Sequence, residues 1–141
     1  MKFLNLTLIV SSLLATSMVS PQVLAASEIV VVANLPAPVT MEKHEIRNLF
    51  MGGASSEFEP VTLEPGIHER LIFNARVVGL TESRIQSYWA QMRFSGRSKA
   101  PVQVSSVEAM KQYLLDNKGS VGYLPADSNV PDTLTVLYTS G

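Results

Sequence analysis

The sequence predicts an α/β fold: a single three-layer-like lobe with a mixed sheet of about four or five strands and about four helices. Three observations predict it. Ile29-Val30-Val31-Val32-Ala33 is an unbroken, mostly β-branched run, the pattern of a strand buried on both faces in a parallel or mixed sheet. After it, extended stretches interleave with segments of helical spacing to the end of the chain. Capping and turn residues punctuate these segments, and no internal repeat or low-complexity tract interrupts them.

The elements follow in order. Asn34-Leu35-Pro36-Ala37-Pro38 cannot continue the first strand, because two prolines remove ladder donors. Thr40 is placed to cap the first helix, with Glu42 near the positive end of its dipole. Ile46, Leu49 and Phe50 share one face of that helix, and Gly52-Gly53 stops it. Residues 58–63 read as a short extended segment. Gly66 opens a second helix in which Ile67, Leu71, Ala75 and Val78 keep helical spacing and Gly79 terminates it. Thr81 caps a third, whose face of Ile85, Tyr88, Trp89 and Met92 points inward, with Trp89 as a core anchor. Residues 94–99 read as a loop around Gly96, and Val102-Gln103-Val104 as a strand. Ser105-Ser106-Val107-Glu108 fits a capping box between Ser105 and Glu108 at the head of a fourth helix, with Val107, Met110 and Leu114 inward. Val121-Gly122-Tyr123-Leu124 is a further strand in which Gly122 marks a close backbone approach. Residues 134–138 form an alternating strand at a sheet edge.

Residues 1–26 have the layout of a secretory signal peptide: Lys2, an apolar stretch over residues 3–19, and small residues ending in Ala25-Ala26. The competing reading, a retained membrane anchor, is disfavoured by the shortness of the run and the cleavage-type ending. Residues 27–141 remain as one domain, exported to the periplasm or secreted, with no membrane insertion after cleavage. That length can bury a core without staples, consistent with the absence of Cys. The net charge is −1 and no basic stripe is present, which argues against a nucleic-acid partner. The two His are far apart, so no metal-ligand spacing appears, and no cofactor is expected.

Four phrases together resemble the periplasmic phosphate-binding proteins of ABC transporters. They are Ile46-Arg47-Asn48-Leu49-Phe50-Met51-Gly52, Tyr88-Trp89, Phe94-Ser95-Gly96 with Pro101 beyond, and Gly119-Ser120-Val121-Gly122-Tyr123. Their order and spacing are similar to those of the family, and they span nearly all of residues 27–141. The resemblance implies the second of the family's two lobes; the segments of the first have no room here. It also locates a departure. Where the family places an Arg before a Ser-Gly-Thr turn that grips phosphate, this chain reads Leu63-Glu64-Pro65-Gly66-Ile67-His68-Glu69-Arg70. Leu63 stands in the position of the Arg, and Ile67 and Glu69 in those of the hydroxyls. A carboxylate facing an anion is repulsive unless paired.

The candidate ligand-binding residues are therefore Gly66, Ile67, His68, Glu69 and Arg70 at a helix start that offers free amides, with Ser105 at another helix start as a weaker candidate. His68 and Arg70 could add donors. The alternative is that Glu69 merely favours its own helix N-terminus while His68 and Arg70 are solvated. Arg93, Arg97 and Lys99 form a basic group beside Phe94, either a patch or a solvated loop. No nucleophile elbow, Cys nucleophile or paired catalytic acids emerge, so no enzyme is expected. Two functions remain. One is a non-enzymatic binding module with a degenerate site for a small oxyanion. The other is a protein-interaction module docking on an envelope sensor, channel or transport component, or on a second copy. Leu35, Met41, Met51 and Phe58 would then supply an apolar patch unless they complete the core.

Overall fold

In the computed structural model, which describes residues 28–53, 57–96 and 98–141, the β-branched run is strand β1 (Ile29–Ala33), and all five of its side chains are buried. Strands β2 (Glu59–Leu63), β3 (Val102–Val104), β4 (Ser120–Pro125) and β5 (Thr135–Thr139) complete a sheet of order β3-β2-β4-β1-β5. β2 pairs in parallel with both β3 and β4, while β1 is antiparallel to β4 and β5, so the sheet is mixed. The helices are α1 (Lys43–Phe50), α2 (His68–Phe73), which runs on into a π-helical turn (Asn74–Val78), α3 (Glu82–Ser95) and α4 (Val107–Asp116). The proposed signal segment, residues 1–26, lies outside the described residues. No helix among those described is long and apolar enough to cross a membrane.

Two adjacent residues of β4 show how the layers form. Neighbouring side chains on a strand point to opposite faces. Gly122 turns toward α4, where a Cβ would stand 2.5 Å from Met110 Sδ and 3.3 Å from both methyls of Leu114. Tyr123 turns the other way and stacks on Phe73 of α2, ring centroids 3.9 Å apart and planes 5° from parallel. Phe50 of α1 meets Phe73 edge-on at 4.7 Å. One face of the sheet thus carries α4 at close range, and the other carries α1 and α2 across an aromatic cluster. Asn34, just past β1, closes α4 from below: its side-chain amide donates to the carbonyls of Leu114 (2.7 Å) and Leu115 (3.3 Å), which the helix end leaves open.

β5 is an edge strand, as its alternation predicts, and it is bulged. The register with β1 slips between Val31 and Val32, leaving Leu137 unpaired, and the Leu137 carbonyl accepts from Met41 N–H instead (3.1 Å). Bulges of this kind blunt an edge against further pairing.

Helix boundaries depart from the sequence expectations by one to three residues. Thr40 does not cap α1, because the chain stays extended while Met41 is tied to β5; the N-cap is Glu42, whose N–H is taken by the Glu45 carboxylate at 2.7 Å. Ser106, not Ser105, caps α4 by accepting from Ala109 N–H at 3.0 Å, and Glu108 pairs with Lys111 rather than closing a capping box. α2 begins at His68, since Gly66 is held in a turn at φ +93°. α3 continues through Phe94 and Ser95, absorbing part of the expected loop, and Gly96 ends it. Thr81 caps α3 and Gly79 closes the π-helical turn as expected. Trp89 and Ile85 are buried.

Replacing Gly122 with Ala should destabilise the protein by about 1–3 kcal/mol, the usual effect of overpacking a full core. Urea unfolding measures this as a lower midpoint at unchanged slope. Adding Met110→Ala to Gly122→Ala should cost less than the sum of the two single changes.

Candidate functional site

β2 and β3 run side by side and end together. Leu63 lies opposite Val104, and Glu64 N–H donates to the Val104 carbonyl at 2.9 Å. α2 starts a few residues beyond the first strand and α4 beyond the second. The structure thus gathers the residues around Gly66 and the distant Ser105 at one edge of the sheet. This is the carboxyl end of neighbouring parallel strands, where open α/β sheets hold ligands. Gly66, His68 and Ser105 are exposed there; Ile67 and Glu69 are half-buried. Ile67 is the N-cap of α2 and provides no side-chain acceptor, so the helix begins without a side-chain cap, unlike α4.

Arg70 is neither solvated nor aimed at this edge. It is 4% exposed. Its Nη1 donates to the Leu63 carbonyl (2.6 Å), and its Nε and Nη2 fork onto the two oxygens of Glu82 (2.8 and 2.6 Å). Glu82 also accepts from Asn74 Nδ2 and Gln86 Nε2, each at 2.7 Å. Burial alone would raise the Glu82 carboxyl, but the hydrogen bonds from Arg70 and Gln86, the Arg70 charge and the Asn74 amide outweigh it and hold the group below its ordinary value. Asn74 opens the π-helical turn and is itself buried, and such widened turns recur at functional sites.

The network continues into the sheet. The Tyr123 hydroxyl accepts from Leu63 N–H at 3.0 Å and shares a hydrogen bond with Thr62 Oγ1 at 2.8 Å. Burial pushes the phenol pKa up, against the opposing pull of Thr62, the Leu63 amide and the Arg70 charge. Separately, Tyr113 of α4 donates to the Glu59 carboxylate, and that hydrogen bond, with some desolvation and the Glu59 charge, lifts its phenol to about 12.

Sequence reasoning missed Glu82, Asn74, Gln86 and Thr62. Glu82 sits right after a capping Thr, where an acid is already explained by the helix dipole. Nothing in its spacing of twelve residues from Arg70 announces a bidentate pair, because a π-helical turn and a loop lie between them. Leu35, Met41, Met51 and Phe58 are half-buried and packed against the core; Met41, Met51 and Phe58 also border one open hollow beside Tyr88, whose hydroxyl donates to the Met51 carbonyl at 2.6 Å. At the end of α3, Phe94 is 96% exposed beside the exposed Arg93.

The fold is similar to that of one lobe of substrate-binding proteins. An ABC-type phosphate transport receptor from Vibrio cholerae is similar over 79% of this chain and 46% of its own, with a TM-score of 0.56 at 19% sequence identity. A putative phosphate ABC transporter substrate-binding protein from Clostridium perfringens, solved with bound phosphate, gives a TM-score of 0.59 at 15% identity, over 79% of this chain and 45% of its own. The chain spans under half the length of either protein, and the likeness is one of fold. The sequence matches no family profile and no curated protein.

Glu82→Ala should lower stability by about 3 kcal/mol, the low end for breaking a buried pair, because Glu82 itself is 31% exposed while Arg70 is left stranded. The pH dependence has a definite sign. A carboxyl with a lowered folded value stabilises fully above its unfolded value of about 4.3 and loses that contribution as pH falls through the folded value. Thermal unfolding followed from neutral to acid pH should therefore show a steeper loss of stability in the native protein than in Glu82→Gln.

Proposed function

We infer that this chain is an exported, non-enzymatic binding module with a reduced oxyanion site at the carboxyl ends of β2 and β3. The observation that carries this reading is the meeting of the α2 and α4 starts at one edge of parallel strands, with the α2 start lacking a side-chain cap. Fold likeness to phosphate-binding proteins supports an oxyanion as the ligand class.

The same geometry makes the site weak. Arg70 is committed to Leu63 and Glu82, so no guanidinium from α2 reaches the edge. Glu64 and Glu69 flank it with negative charge. An anion there is held by backbone amides of residues 68–70, with His68 and the Ser105 hydroxyl as the side chains within the same edge. Affinity in the millimolar range follows, since a tight oxyanion site needs charge-assisted donors.

A second reading, docking on an envelope protein or a second copy, has one observation behind it: the almost fully exposed Phe94 next to Arg93. Phosphate titration followed by backbone amide NMR separates the two. Saturable shifts confined to residues 66–70 and 105–106 support the oxyanion site. No saturable shift in that range, or shifts scattered over the surface, overturns it. Glu69→Gln should tighten phosphate binding by up to about fivefold, as expected for removing a like charge a few ångströms away in water.

A further inference from the structure

Between α3 and the sheet lies a hollow of about 140 Å³ that the strand-end reading leaves unused. Phe50, Phe73, Ile85 and Trp89 give it an apolar wall. Thr62, Asn74 and Arg70 give it a polar one. Arg93 and Ala100, both exposed, mark where it opens to solvent.

Three features narrow what fits. The first is size: an apolar cavity of about 150 Å³ accepts benzene, so a single ring is the scale of occupant. The second is the charge of the inner wall. Arg70 is neutralised by the two-pronged contact with Glu82, so the buried end offers polar edges and aromatic faces but no net charge. The third is the rim. Arg93 makes no ion pair among the described residues. A ligand suited to this hollow has an apolar ring inside and an anionic group at the mouth, where a guanidinium can fork onto a carboxylate.

We propose that the hollow beneath α3 is a binding site for a small single-ring carboxylate, its ring against Trp89 and Phe73 and its carboxylate on Arg93. This site does not depend on the strand-end oxyanion reading, because its cation and its apolar wall are different residues.

The test uses benzoate and the purified chain. Trp89 is the single tryptophan, so its indole N–H gives one NMR signal that reports the hollow directly. Benzoate should move that signal saturably, whereas phosphate should leave it in place. Arg93→Gln should weaken benzoate by about tenfold, the effect of losing one charge-assisted hydrogen-bonded contact, while leaving uncharged benzyl alcohol unchanged. Ala100→Phe at the mouth should weaken both. Both positions are exposed, and circular dichroism confirms that the variants remain folded. A Trp89 signal that stays still at tens of millimolar benzoate overturns the proposal. So does an Arg93→Gln variant that treats benzoate and benzyl alcohol alike.

Discussion

The backbone of Leu63 is buried at a point where the sheet cannot satisfy it from within, and much of the α2–α3 side of the molecule is arranged around that fact. β2 and β4 pair at Glu59–Ser120 and Pro60–Val121, after which no further pairing joins them. Leu63, fully buried three residues on, then has an N–H and a carbonyl to place. A buried peptide group left without a partner costs about 1–3 kcal/mol. Two side chains supply the partners: the Tyr123 hydroxyl takes the N–H and Arg70 takes the carbonyl. Each solution creates a further demand. Tyr123 must lie flat in the core, which the Phe73 stack permits. Arg70 brings a positive charge inside, which is tolerable only with a carboxylate beside it, and Glu82 provides that from α3. Asn74 and Gln86 complete the Glu82 shell.

This chain of requirements explains what could be read from the residues and what could not. The five strands and four helices follow from periodicity, but the buried face of α2 does not: the spacing of Ile67, Leu71, Ala75 and Val78 marks an inner face, whereas Leu71 is 63% exposed and Arg70, Phe73, Asn74 and Val77 are buried instead. Gly122 was legible from its local sequence: a glycine between Val121 and Tyr123 in an extended apolar segment points to close approach, and Met110 supplies the neighbour. Caps were less legible. Ser105 and Ser106 offer the same hydroxyl, and the choice between them is made by where β3 stops pairing with β2, a tertiary fact. Thr40 lost to Glu42 because Met41 is tied to a bulge almost a hundred positions away in sequence. The least legible feature is the Arg70–Glu82 pair. A local reading treats Arg70 as a surface cation near a helix start. Only the splayed end of β2 makes it an interior residue.

The four phrases that suggested the phosphate-receptor resemblance are also distributed by physical logic. Phe50, Trp89 and Pro101 from three of them line the hollow beneath α3, and Tyr123 from the fourth stacks on Phe73, which lines it too. Their shared role in this chain is to pack the space between α1, α3 and the sheet. The phrases that suggested the resemblance are thus core-packing residues in this chain.

One ion pair connects the two candidate places. By holding Arg70 inward, Glu82 keeps that cation away from the proposed anion site at the ends of β2 and β3 and leaves the proposal to rest on backbone amides. The same pairing cancels the charge on the inner wall of the hollow, and so leaves that wall suited to an uncharged ring. The two proposed sites, for an anion at the strand ends and for a ring beneath α3, are thus both shaped by this pair, yet they use different contacting groups: the amides of residues 68–70 at the first and Trp89 with Arg93 at the second.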